Sequence, residues 1–340
     1  MYAIAGATGR VGSVTAQILL NAGVDVRVLV RRKSDAEAWE TQGAETRITS
    51  LEDQAVLSDA LDDVAGFFVL LPFDLSADNL GAHADALIAS ITGAVAAQQV
   101  PHVVLLSSGG ADLAEGTGPI TGLHRLELAL LATGTTATAL RPGHFQEKVT
   151  DVIDVARSSG IYPVFAASAD VPLSMVATRD LGAVAAQMLL SPPARSEAID
   201  IIGPSYTERN VATMLGECLG RELHVAMMPE EAWADALIDA GFRPHIAASP
   251  AELYRASEQR LPAPPSDPSR RRASTSPSIV CSPHALSKHR VRLRIHGGAR
   301  GLPHHQRAAG RPVLRVLLRN LPWVPTHGRP QLRPGIPRYQ

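Results

Sequence analysis

The stretch Gly6-Ala7-Thr8-Gly9-Arg10-Val11-Gly12 follows directly on the short apolar run Tyr2-Ala3-Ile4-Ala5 and opens a segment of helical periodicity. A strand, a glycine-rich turn and a helix in that order form the first unit of a nucleotide-binding α/β sheet. Glycine permits the tight turn, lets backbone approach a pyrophosphate and lets helix pack closely on strand, while the free N–H groups of the helix start attract the anion. The spacing is G-x-x-G-x-x-G, one residue longer than the G-x-G-x-x-G form. Three glycines alone would describe a plain turn; their place between strand and helix predicts phosphate binding.

The pattern repeats outward. Candidate strands lie at residues 2–5, 25–30, 45–48, 66–71, 102–106 and 136–140, with helices at 11–21, closed by Gly23, and at 80–99, stopped ahead of Pro101. Strands alternating with helices predict a parallel, doubly wound sheet. The second strand runs out into Arg31-Arg32-Lys33 with no carboxylate at its end. An acidic residue there would bind a ribose hydroxyl, whereas cations suit a 2′-phosphate, Arg31 being the best placed by spacing. The expected cofactor is therefore NADP (NADPH), the alternative being a solvated basic loop.

From about Phe145 the pattern loosens: a helical segment at 149–157, a loop through Tyr162 and Phe165, a helix capped by Asp180, a strand at 198–202, a helix at 207–219, a strand at 222–227 and a helix at 229–240. These read as a small cap over the carboxyl ends of the strands, where open α/β sheets bind ligands. The expected organisation is 1–145 for the dinucleotide-binding domain, 146–260 for the cap, with some elements free to return to the sheet, and 261–340 for a tail.

Composition separates that tail from the rest. Residues 1–260 carry 17 Lys+Arg against 32 Asp+Glu, and residues 261–340 carry 15 against 1, so the formal charge of -1 joins a body of -15 to an extension of +14. With 14 Arg, 13 Pro and 6 His in its 80 residues, the extension buries too little apolar surface to offset chain entropy and is expected to be disordered. Its bias is that of a GC-rich gene read out of frame after about Gln259; a phosphate-attracting arm, binding nucleic acid nonspecifically, is the other reading. Cys281, His284 and His289 lack a fourth metal ligand, and no metal is expected. Two cysteines, Cys218 and Cys281, make no disulfide framework, which fits a reducing cytoplasm. The longest apolar run, around 67–73, is far too short to span a bilayer, and no signal peptide is visible.

A family resemblance runs through residues 1–258. Gly6 to Gly12, Val28-Leu29-Val30-Arg31, Leu70-Leu71-Pro72, Ser107-Ser108, Leu140-Arg141-Pro142-Gly143-His144-Phe145, Ala177-Thr178-Arg179-Asp180 and Gly203-Pro204-Ser205-Tyr206-Thr207 keep their order and spacing. Together they resemble the NmrA-like group of atypical short-chain dehydrogenases, which includes type 2 NAD(P)H quinone oxidoreductases and NADP-sensing regulators. The resemblance implies a Rossmann domain, a small cap and a nicotinamide cleft between them. Gly6, Thr8, Gly9, Arg10, Val11, Gly12 and Arg31 would hold the cofactor, and Leu71, Pro72, Ser107 and Phe145 would shape its nicotinamide side.

Departures from the family constrain the chemistry. Short-chain dehydrogenases use Tyr-x-x-x-Lys on the helix after the fifth strand; alignment on Glu127 puts Pro119 and Leu123 at those positions, and no tyrosine elsewhere has lysine four residues on. The usual acid is absent. Reducing a ketone gives an alkoxide, a far stronger base than a hydroquinone anion, and the difference is worth roughly 8 kcal/mol. A quinone or similar electron-poor small molecule is therefore the expected acceptor, with hydride transfer governed by proximity and orientation. A dinucleotide-binding redox sensor without turnover is the rival expectation.

His124 is the candidate for proton chemistry, on the flank of a stripe formed by Leu123, Leu126, Leu130 and Leu131; it either reaches the cleft or contacts Glu127. His144 is comparable. The usual Phe-x-Glu-Asn ending stands here as Phe145-Gln146-Glu147-Lys148, altering one contact to nicotinamide or substrate. H-E-x-x-H, G-x-S-x-G, a P-loop lysine and C-x-x-C are all missing. Removing residues 262–340 is expected to leave the thermal unfolding midpoint unchanged; a large drop in a melting experiment would contradict an idle tail.

Overall fold

The computed structural model describes residues 1–74, 77–239, 243–260 and 278–280. Strands β1 (Tyr2–Ala5), β2 (Val26–Val30), β3 (Glu45–Ile48), β4 (Gly66–Leu70), β5 (His102–Leu106) and β6 (Thr136–Pro142) alternate with helices α1 (Arg10–Asn21), α2 (Lys33–Glu40), α3 (Gln54–Ala60), α4 (Leu80–Ala97) and α5 (Ile120–Ala132). Then come β7 (His144–Phe145), a 3-10 turn at Gln146–Asp151, α6 (Ile153–Ser159), β8 (Ile161–Val164), β9 (Leu173–Val176), α7 (Thr178–Leu190) and β10 (Glu197–Ile202). The chain continues through β11 (Ser205–Tyr206), α8 (Glu208–Leu219), β12 (His224–Met227), a 3-10 turn at Glu230–Ala232, α9 (Trp233–Asp239), α10 (Pro244–Arg260) and β13 (Ser278–Val280).

The main sheet has the order β13-β10-β6-β5-β4-β1-β2-β3, and every pairing in it is parallel. Alternation of side chains along each strand divides its residues between two cores. Ala3, Phe67, Val69, Val103 and Leu105 pack with Leu57, Leu87, Ile91 and Leu126 of α3, α4 and α5. Ile4, Val28, Phe68, Val104 and Leu140 pack on the other face with Leu19, Trp39, Leu181 and Leu189 of α1, α2 and α7. Helix α4 alone among the described helices has the length and hydropathy of a membrane span, at 18 residues and mean hydropathy 1.4, but Leu87, Ile88, Ile91, Ala94 and Val95 on it are buried in the first core.

The doubly wound sheet stands as expected, with strand limits shifted by one or two residues. The region after 145 departs from a simple cap. Strand β10 returns to the main sheet, pairing Glu197–Ile201 with Thr138–Pro142, and α7 lies on α1. Close approach at that crossing needs Gly182: a Cβ there would come 2.6 Å from Val14 Cβ. Residues 161–164, expected within a loop, form β8 and pair with β12. Helix α7 starts at Thr178, so Asp180 sits inside its first turn and is not its cap; the Glu147 carboxylate supplies the cap by accepting from the Thr178 N–H at 3.0 and 3.1 Å. Of residues 261–340, Ser278–Val280 form a strand beside β10, where Ile279 and Val280 suit a sheet edge; the expectations for the rest of the tail, including Cys281, His284 and His289, lie outside the described residues.

His102, first residue of β5, is 2% exposed; its Nε2 lies 3.0 Å from Thr138 Oγ1 on β6, and its Nδ1 has no partner among the described residues. Burial pushes its pKa down to about 4. The unfolded chain, with a value near about 6.5, then binds more protons between those limits, so stability present above pH 6.5 is lost as pH falls toward 4. Urea unfolding at pH 6.5 and 5.0 is expected to show a loss of about 2 kcal/mol from this group. His102→Gln should flatten that fall, and equal pH slopes in the two chains would remove His102 as its cause.

Candidate active site

Parallel strands put their carboxyl ends along one edge, and the sheet order sets Gly143, Ser107, Leu71, Gly6 and Arg31 in a row at the ends of β6, β5, β4, β1 and β2. The succession of strands runs outward in opposite directions from β1 and β4, and between them lies the crevice where such sheets take ligands. From Arg31 to Ser107 is three strand spacings, about 14 Å.

Each glycine of the first loop has its own task. Gly6 adopts φ +67 and would place a Cβ 2.3 Å from Leu70 Cδ2. A Cβ on Gly12 would lie 2.4 Å from the Gly6 carbonyl oxygen, so helix and loop touch there. Gly9 is different: a Cβ would meet only the Gly6 oxygen, at 3.2 Å, and the residue is exposed at the N-cap of α1 with no side-chain cap. Its outward face is bare backbone, and α1 has no acidic residue in its first turn. Thr8 and Arg10 are exposed beside it, Val11 and Gly12 are buried, and Arg10 Nη2 donates to Thr150 Oγ1 at 3.1 Å.

At the end of β2 the three cations are not equivalent. Arg32 is held by Asp35 through Nε–Oδ2 and Nη2–Oδ1 contacts of 2.9 and 3.0 Å. Arg31 and Lys33 are exposed and have no hydrogen bond or ion pair among the described residues. Bare loop backbone, an uncapped helix start and an unpaired cation on the adjoining strand fit a pyrophosphate and a further phosphate.

The other end of the row is crowded. Leu71 is buried and Pro72 exposed, and a Cβ on Gly122 of α5 would lie 3.0 Å from Leu71 Cδ2. Phe145 packs half-buried against the α1–α7 core. Ser107 Oγ donates to Glu127, whose carboxylate also takes both Nε (3.0 Å) and Nη2 of Arg141; the pair is 10% and 14% exposed. Neither Glu127 nor Arg141 is given a role by the sequence reading. The signal for them is two opposite charges, one on the rim of an apolar helix face and one inside a strand.

Among the described residues His124 pairs with neither Glu127 nor any other carboxylate: its Nδ1 lies 2.8 Å from the Ala111 carbonyl. Because a carbonyl only accepts, Nδ1 carries the proton and Nε2 is the free acceptor in the neutral ring. Pro119 caps the start of α5 and Leu123 is 5% exposed, so neither replaces a catalytic tyrosine or lysine. The buried stripe of α5 is Ile120, Leu123, Leu126 and Leu130, and Leu131, expected within it, is 51% exposed. His144 lies on β7; burial lowers its pKa, Glu208 opposes the shift and Lys148 adds to it. Behind it, Tyr162 Oη donates to Glu208 Oε2 at 2.7 Å, and burial raises the Tyr162 pKa. Lys148 pairs with Asp151 at 3.1 Å.

The outer wall comes from the carboxyl-terminal helices. Arg243 reaches Asp78 at 2.7 Å, and the backbone of α10 lies so close to Gly118 that a Cβ there would be 2.2 Å from the Ser249 oxygen. Trp233, Tyr254 and Phe165 lock this wall, with ring centroids 5.9 and 5.0 Å apart. No group of three metal-ligating side chains occurs among the described residues.

Comparison with known proteins adds to this geometry. The chain is 31% identical over 262 residues to (4-alkanoyl-5-oxo-2,5-dihydrofuran-3-yl)methyl phosphate reductase of Streptomyces griseus, covering 76% of this chain and 87% of that one. It is 26% identical over 257 residues to the NAD(P)H azoreductase of Xenophilus azovorans, covering 75% and 86%. Among solved structures, an NADPH-dependent quinone oxidoreductase of Escherichia coli, crystallised with NADPH, superposes with a TM-score of 0.66 at 22% identity, covering 78% and 92%. The sequence profile of the NmrA-like family matches residues 2–259 and ends where the composition changes; this chain belongs to the NmrA-like family.

Proposed function

We propose that this chain is an NADPH-dependent reductase that passes hydride to a quinone-like or other electron-poor small molecule at the carboxyl edge of its main sheet. The observation that carries the reading is the pairing of a bare, uncapped glycine loop with the unpartnered Arg31 on the next strand. Reductases named for NAD(P)H and for quinone substrates among its relatives support it.

NADPH, when bound, would supply the hydride, and a quinone-like acceptor would also take up one proton. Thr8, Arg10, Val11 and Gly12 would offer the pyrophosphate backbone N–H groups at the α1 start, while Gly6 and Gly9, the latter's N–H donating to the Gly6 carbonyl at 2.9 Å, would let it approach by lacking side chains. Arg31 takes the 2′-phosphate because Arg32 is committed to Asp35. Leu71, Pro72, Ser107 and Phe145 enclose the nicotinamide end and limit water there. The Ser107 hydroxyl, whose proton points at Glu127, offers lone pairs to a donor on the ligand. His124, its Nδ1–H fixed by the Ala111 carbonyl, would give a proton from Nε2 as the doubly protonated imidazolium, having first taken that proton up at Nε2 from solvent. No nucleic-acid or membrane partner is needed, and the cytoplasm suits the chemistry.

Steady oxidation of NADPH on adding benzoquinone is the expected result, with Arg31→Glu raising KM for NADPH about tenfold or more and leaving NADH little changed. Tight NADPH binding without turnover across a panel of acceptors would favour a redox sensor, and no binding heat would remove both readings. His124→Gln should lower kcat about tenfold to hundredfold at unchanged KM for NADPH; an unaltered kcat would show that the proton comes from elsewhere.

A further inference from the structure

One side chain joins two separate parts of the carboxyl edge. Arg10 is the first residue of α1, exposed beside Gly9, and its Nη2 donates at 3.1 Å to Thr150 Oγ1 in the 3-10 turn at Gln146–Asp151. The Thr150 hydroxyl donates in turn to the Glu147 carbonyl at 2.7 Å, so its proton is spent and its oxygen is left to accept from Arg10. The turn is itself anchored: Gln146 Nε2 donates to the Met175 carbonyl at 3.2 Å, Val149 is buried, and the Glu147 carboxylate caps α7. A built element thus fixes the far end of a long, exposed side chain.

The nature of the partner matters. Arg32, Arg141 and Arg209 are each held by a carboxylate, which offsets their charge. Arg10 has no carboxylate partner among the described residues. A neutral hydroxyl fixes the direction of the guanidinium without cancelling its charge, and it occupies one of several N–H donors. Being exposed, such a bond adds little to the stability of the fold. The same side chain starts at the uncapped helix end whose free N–H groups suit a pyrophosphate.

Resting on the NADPH-dependent reading, we propose that Thr150 is a positioning residue for the coenzyme. It holds the Arg10 guanidinium between the 6–12 loop and the 146–151 turn, where the charge retains the pyrophosphate and slows coenzyme release. Because NADPH and NADH share the pyrophosphate, this bridge acts on both alike, whereas Arg31 distinguishes them.

The test measures how fast bound coenzyme leaves the full-length protein, by stopped-flow fluorescence of the reduced nicotinamide on mixing with excess NADP+. Thr150→Val is expected to raise the off-rate about tenfold for NADPH, and by the same factor for NADH, at an unfolding midpoint close to that of the unaltered chain. Thr150→Ser keeps the hydroxyl and should keep the original rate. Arg10→Gln should match or exceed the valine variant, and adding Thr150→Val to it should change nothing more, because Thr150 acts through Arg10. Thr150→Ala removes the hydroxyl without adding bulk and takes the place of Thr150→Val if that variant does not fold. An unchanged off-rate without the hydroxyl, or a double variant in which the two effects multiply, overturns the role of Thr150 and leaves the reductase reading standing. An unaltered chain that binds neither coenzyme overturns both.

Discussion

The carbonyl oxygen of Gly6 stands where any side chain at position 12 would have to go. Backbone therefore meets backbone at the start of α1, and the helix is fixed to the loop by contact that no other residue allows. Along the same helix, Val14 and Thr15 lie against Gly182, Thr15 also donating to the Gly182 carbonyl at 3.3 Å. Helix α7 is in turn capped by Glu147, two residues beyond Phe145. One chain of close contacts thus links the 6–12 loop to the segment after β6, so that these two parts of the carboxyl edge are held at a set separation by packed elements, the condition under which orientation contributes to rate.

The polar groups follow a division of labour. Charges that fix structure are buried and multiply bonded: Arg27, 8% exposed, is shared by Glu45 and the carbonyls of Ala60 and Asp62, and Arg141 is held by Glu127. Groups left with capacity to spare, namely Arg31, Lys33, His124 Nε2 and the nitrogens of His144, gather at the carboxyl edge. Groups that keep bonding capacity at an exposed edge are where reactivity is expected.

Much of this was legible in the sequence because strands buried on both faces read as short apolar runs and because glycine spacing marks the turn after β1. The lobe was less legible. Periodicity reports that residues 198–202 form a strand but not which sheet it joins, and β10 went back beside β6. Local capping rules favour Asp180, yet the cap came from Glu147, 31 residues earlier, which no window of sequence reveals. Leu131 was read into the stripe from spacing alone, although the stripe turns away from it. Ion pairs such as Glu127–Arg141 depend on which helix lies over which strand, a property of topology that the order of residues does not display.

The crossing of α1 and α7 has a consequence for biosynthesis. Residues 10–21 emerge from the ribosome long before residues 178–190, so the part of the first helix that faces α7 has no cover while some 160 intervening residues are translated, although its other side can pack on β1 and β2. A nascent chain released or cleaved in that interval would show a hydrophobic strip along the first helix, a target for chaperones and proteases. The core on this face of the sheet is therefore closed only when the second half of the chain is made.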